Sequence, residues 1–165
     1  MATITFKGNP VHTVGELPAV GSVAPDFTLT NGQLEDVSLA AFGDRKKILN
    51  IVPSLDTGVC AMSAQRFNAD VAGRDDVVVL NISADLPFAA GRLCASSKLE
   101  NIVPLSVFRA PDFGKDYGVL MTDGPLCGLL SRAVVVLDAN NTVVYTEQVP
   151  EIAQEPDYEA ALLEI

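Results

Sequence analysis

"KKILNIVPSLDTGVCAMSAQRFNADVA", residues 46–72, reads as a strand, a loop and a helix in succession, and that reading decides the fold. "KKILNIV" is nearly continuously apolar after its lysines, the pattern of a strand covered on both faces. From Cys60 to Ala72 good helix formers dominate, with Met62, Phe67 and Val71 near one another at helical spacing. "PSLDTG" between them is a loop at the strand's carboxyl end, where open α/β sheets place their ligands.

The same alternation continues downstream. "DVVVLNISA" (76–84) is a second buried strand, and "PFAAGRLCASSK" (87–98) suits a helix, although Gly91 weakens it by about 1 kcal/mol relative to alanine. "VPLSVFR" (103–109) is a short strand and "PDFGKDYG" (111–118) a helical piece. "RAVVVLD" (132–138) and "NTVVYTEQV" (141–149) form a hairpin around "ANN". The tail "EPDYEAALLEI" is an amphipathic helix with Pro156 at its start, acids in its first turn and Tyr158, Ala161, Leu162 and Ile165 inward. Upstream, "TITF" and "VHTV" read as a hairpin around a Gly-Asn-Pro turn, "GSVAPDFTLTN" (21–31) feeds a short strand, and "VSLAAFG" (37–43) is a helical turn closed by Gly43. This order predicts an α/β protein with a thioredoxin-like fold: a central mixed sheet flanked by helices. One domain spans 1–165, with residues 1–20 an N-terminal β-hairpin extension.

Bulk properties narrow the function. A chain of 165 residues with 48% hydrophobic and 19% charged content can build one real core. The net charge of −10 argues against nucleic acid, which needs clustered positive charge. "DRKK" (44–47) precedes an apolar run and reads as a solvated strand entrance. The amino terminus shows no signal peptide, and "AVVVL" (133–137) is far too short to span a membrane, so a soluble cytoplasmic protein is expected. Three widely spaced cysteines (60, 94 and 127) make a poor disulfide framework, and with one histidine they lack the close ligand pairs of structural zinc. His12 is expected at the surface or an interface.

Cys60 is the residue with chemistry to explain. With Thr57 as helix N-cap, Cys60 falls at the third helical position. Unpaired amide N–H groups, the helix dipole and the nearby Thr57 side chain all favour its thiolate. Gly58 lets the backbone turn tightly, and Pro53 can cover one side of the sulfur. The competing reading is a small hydrophobe filling a gap under the helix. A third reading, from Cys60 to Arg66 as the C-x5-R of a phosphatase loop, is weak. "AMSAQ" has no glycine to wrap a dianion, and Arg66 lies nearly two helical turns on, pointing away. A C-x-x-C dithiol is absent because position 63 is serine. A bond to Cys94, 34 residues on, requires Cα atoms within about 7 Å and hence local unwinding, which Gly58 and Gly91 ease.

Several stretches together resemble the peroxiredoxin family, and within it the thiol peroxidase branch of atypical two-cysteine enzymes. They are "APDFTL" (24–29), "PSLDTGVC" (53–60), "ISADLPFA" (82–89), "GRLC" (91–94), "FGKDYGV" (113–119), "DGPLCGLLSRAVVVLD" (123–138) and "EPDYEAAL" (155–162). The resemblance implies a peroxidatic Cys60, whose thiolate attacks peroxide and becomes sulfenic acid, and a resolving Cys94 that condenses with it into an intramolecular disulfide. It also implies that Thr57 hydrogen-bonds the substrate, that Pro53 shields the pocket and that Arg132 stabilises the thiolate and the polarised peroxide. From its residues alone Arg132 reads as a strand-entry surface charge. The implied activity is thioredoxin-dependent reduction of hydrogen peroxide and organic hydroperoxides, by a homodimer, with no metal or organic cofactor. A redox sensor that uses the same Cys60–Cys94 switch without turnover is the alternative. Cys127 lies outside this pattern and is read as structural.

Overall fold

The computed structural model describes all 165 residues. Strands β1 (Thr3–Phe6) and β2 (Asn9–His12) form a hairpin of their own. The main sheet contains β3 (Thr28–Thr30), β4 (Asp36–Ser38), β5 (Lys46–Ile51), β6 (Val77–Ser83), β7 (Ile102–Ser106), β8 (Ala133–Leu137) and β9 (Val143–Gln148), in the order β4-β3-β7-β6-β5-β8-β9. β5, β6 and β7 are parallel and β8 runs antiparallel to β5, so the sheet is mixed. Helices α1 (Gly58–Asp70) and α2 (Pro87–Ser96) are the crossovers that parallel pairing requires. α3 (Phe113–Asp116) and α4 (Tyr158–Leu162) are short.

Every residue of β6 and β8 is buried because both faces of the sheet are covered. Ile48, Val79, Val134 and Val136 pack on one side against Phe67 of α1, Ala90 of α2 and Ala161 of α4. Leu49, Leu80 and Val135 alternate to the other side, against Phe27, Phe113 and Tyr117. Phe67 meets Tyr158 edge to face, ring centroids 5.2 Å apart, which ties α1 to α4. The expected strand, loop and helix over residues 46–72 are all present. No helix is long and apolar enough to cross a membrane.

Five local expectations are corrected. The hairpin turn is Lys7-Gly8, both at positive φ (51° and 80°), and Asn9 and Pro10 belong to β2. The ladder tolerates that proline because its partner Thr5 turns its N–H away from β2 to the Pro150 carbonyl, so the Pro10 nitrogen faces the outer edge and no ladder bond is lost. The segment before "LAAF" forms β4, which pairs with β3 as a three-residue strand too short to show periodicity. Lys47 is fully buried within "DRKK", with its Nζ donating to the Gly43 carbonyl at 2.8 Å; burial, then nearby Arg45, lowers its pKa. Pro156 precedes the α4 cap, since Asp157 caps the helix by accepting from the Ala160 N–H. Cys127 is exposed rather than structural, because its loop lies on the surface.

Candidate active site

α1 starts where the sequence places it: Thr57 is the N-cap, in extended conformation, and Cys60 stands at the third helical position. Cys60 has no exposed surface. The Arg132 side chain, also buried, donates from Nη1 to the Cys60 sulfur at 3.2 Å and from Nε to the Ile152 carbonyl at 2.7 Å. A guanidinium at that distance favours negative charge on sulfur, and it adds to the helix N-terminus. Holding the fork at both ends fixes its direction, and its remaining N–H groups can serve a ligand. The Arg132 carbonyl accepts from Gln148 Nε2 at 2.9 Å and from the Val149 N–H at 3.0 Å, so β9 seats the arginine from behind.

A cleft of about 290 Å³ opens over this pair, with mainly apolar walls. Pro53, Thr57 and Gly58 form one side and Arg132 a polar point; Cys60 itself is not among the residues that border it. Phe6 of the hairpin, together with Leu126, Leu129 and Ile152, supplies further walls. The Thr57 hydroxyl donates to the Ser54 carbonyl at 3.2 Å and makes no hydrogen bond to the sulfur. Arg66 lies outside the site: its Nε pairs with Asp70 at 2.9 Å and its guanidinium covers the Tyr158 ring. That position excludes the C-x5-R cradle. His12 is at the surface, with Nδ1 2.6 Å from Asp123 Oδ2.

Cys94 is buried in α2 and opens toward a second cavity, bordered by Gly91, Val103 and Pro104, that shares no wall with the Cys60 cleft. Burial pushes its thiol pKa up. All three cysteines are free thiols.

Sequence reasoning missed the residues that hold the loop. Asp85, just after β6, accepts from Ser54 Oγ and the Leu55 N–H, each at 2.7 Å, and from Ser83 Oγ at 2.8 Å. It pins the "PSLDT" loop to the end of the neighbouring strand. It also missed Glu151, which binds the hairpin. Thr5 Oγ1 (2.6 Å), the Lys7 N–H (3.0 Å) and the Gly8 N–H (3.2 Å) all donate to its carboxylate. These donors hold its pKa down to about 2, the Thr5 hydroxyl contributing most. A signal for Asp85 existed in its place at the carboxyl end of a strand beside the Cys60 loop. None existed for Glu151, whose partners are about 145 residues away.

Residues 19–162 match the Redoxin family. Proteins called thiol peroxidase from Mycobacterium tuberculosis and Mycobacterium bovis are 55% identical over 162 residues, covering 98% of this chain and 97% of theirs. Among solved structures, a peroxiredoxin-like protein from Aquifex aeolicus superposes with a TM-score of 0.93 at 39% identity, over 99% of this chain and 95% of its own. A thiol peroxidase from Chromobacterium violaceum does so with 0.91 at 28% identity, over 98% and 95%. On a family match of this extent and relatives this similar, the chain belongs to the Redoxin family, in the thiol peroxidase branch of the peroxiredoxins.

Proposed function

We propose that the protein is a thioredoxin-dependent thiol peroxidase that reduces hydrogen peroxide and organic hydroperoxides. The observation that supports this most is the buried Arg132 Nη1 at 3.2 Å from the Cys60 sulfur, at a helix N-terminus under a cleft. The Cys60 thiolate attacks the terminal peroxide oxygen, the O–O bond breaks, and the alkoxide takes a proton and leaves as alcohol (water, for hydrogen peroxide). Arg132 N–H groups stabilise the charge on both oxygens as it develops. The Thr57 hydroxyl, at the cleft wall, turns from Ser54 to orient the substrate, and Pro53 excludes bulk water. Cys60 is left as sulfenic acid. The Cys94 thiol condenses with it, giving a disulfide and water, and the thioredoxin dithiol then regenerates both thiols by exchange. Such a cycle belongs in a reducing compartment, the cytoplasm, and we expect a homodimer as the working form.

The test is a coupled assay with thioredoxin, its reductase and NADPH, run with several hydroperoxides. Sustained turnover is expected, and its loss in Cys60→Ser. A single oxidation without turnover would instead indicate a redox sensor. After one equivalent of peroxide, mass spectrometry should find a 60–94 link; a 60–127 link would overturn the resolving role of Cys94.

A further inference from the structure

Asn50 and Asn81 sit opposite each other in the paired register of β5 and β6, fully buried at the centre of the sheet. Asn50 Nδ2 donates to Asn81 Oδ1 at 2.6 Å and to the Ser63 hydroxyl at 3.3 Å. Ser63 Oγ donates in turn to the carbonyl of Cys60 at 2.9 Å. Asn50 Oδ1 and Asn81 Nδ2 have no partner at all. Two half-used amides in a sheet centre are unfavourable, and an apolar pair would avoid that penalty. The one connection this cluster makes outside the sheet runs through Ser63, itself without exposed surface, to the backbone of Cys60.

That connection lies on a segment that has to move in the proposed cycle. The Cys60 sulfur is held by Arg132, directly before β8, whereas the Cys94 cavity is bordered by β7. β6 and β5 stand between those strands, so three spacings of about 4.8 Å separate β7 from β8. A disulfide needs Cα atoms within about 7 Å, so the first turn of α1 must open. The backbone ladder of α1 starts with the Ala61 N–H donating to the Thr57 carbonyl at 2.9 Å, and one side-chain bond, Ser63 to Cys60, adds to it near the cysteine.

We infer that Ser63 is a positioning residue: held by Asn50 and Asn81, its hydroxyl ties the Cys60 backbone to β5 and sets how readily the first turn of α1 opens. The tie keeps the sulfur against Arg132 for attack. Once the turn opens, half a rotation of both amides presents the Asn50 oxygen to the released hydroxyl and keeps the pair bonded through the Asn81 Nδ2 donor, using both idle groups. The inference rests on the proposed peroxidase cycle for its consequence. Cys60 sulfenic acid and the Cys94 thiol give a disulfide and water; sulfenic acid and a second hydroperoxide give sulfinic acid and an alcohol. A tighter tie slows the first reaction and lets more of the second occur.

The deciding experiment compares Ser63→Ala and Ser63→Thr with wild type by amide hydrogen exchange of the reduced protein. Loss of one hydrogen bond should speed exchange at Ala61, Met62 and Ala64 by about three- to tenfold in Ser63→Ala. Phe67 and later amides should be unchanged, and Ser63→Thr, which keeps the hydroxyl, should match wild type. After one equivalent of hydrogen peroxide, Ser63→Ala should form the 60–94 link several-fold faster, and under excess peroxide it should accumulate less sulfinic acid. Unchanged exchange at Ala61–Ala64 would overturn the inference, as would an equal rise along the whole helix or a Ser63→Thr that behaves like Ser63→Ala. Absence of a 60–94 link in wild type would overturn the proposed cycle instead, and the exchange comparison would still decide the tie.

Discussion

Cys60 and Arg132 are 72 residues apart in the chain and in hydrogen-bond contact in the fold. The contact places a permanent charge against the sulfur, within a buried pocket that strengthens their interaction. Arg132→Ala should therefore lower the second-order rate constant for peroxide by about ten- to a hundredfold, the worth of one charge-assisted hydrogen bond. Arg132→Lys should fall between the two, since an ammonium keeps the charge but lacks the fork that spans Ile152 and the sulfur. An unchanged rate constant in Arg132→Ala would count against this role.

The N-terminal hairpin positions the site through contacts distant in sequence. The hairpin β1–β2 reaches the 150–153 loop through Glu151, and the next carbonyl along, Ile152, orients Arg132. Glu151 has its pKa depressed from 4.5 to about 2, so its stabilising effect is complete above about pH 4.5 and is lost as pH falls toward 2. Glu151→Gln should lack that contribution at neutral pH, and its stability should be flatter between those limits than wild type in acid-unfolding curves. Slower reaction with peroxide should accompany it, because Ile152 is less firmly held. Gly118, at φ +69°, ends the turn after α3; a Cβ there would clash with the Glu16 backbone. Gly118→Ala should therefore lower the melting temperature sharply, with a loss of about 3 kcal/mol or more, as thermal unfolding would measure.

At the scale of the whole molecule, the sheet keeps Cys60 and Cys94 apart and in different environments. Burial raises the Cys94 pKa above its ordinary 9, so the group is a neutral thiol at neutral pH, as the resolving role proposed for it requires. Its contribution to stability is present below about pH 9 and is lost as pH rises through the raised value, since the unfolded chain releases the proton first. Alkylation of the native, reduced protein at neutral pH should mark exposed Cys127 well before Cys94. Cys94 should become reactive only on unfolding or after Cys60 is oxidised. Early modification of Cys94 in the native state would contradict its burial.

The alternation of buried strands and helices was legible along the chain because apolar periodicity is a local property, and so were the N-cap Thr57 and the placement of Cys60. The motif pieces carried Arg132 and Cys94 through resemblance, not through anything local to those residues. Lys47 inside the sheet, the three-residue β4, the exposed Cys127 and the clamp residues Asp85 and Glu151 were not legible. Each depends on what folds against it from elsewhere in the chain, and a buried lysine and a solvated one have the same letter. The sequence by itself determined the elements and the place of Cys60 in the first turn of α1. Only the tertiary structure decided which charge reaches the sulfur, which walls close the cleft and what holds the first turn of α1, because these are contacts between residues that chain order does not bring together.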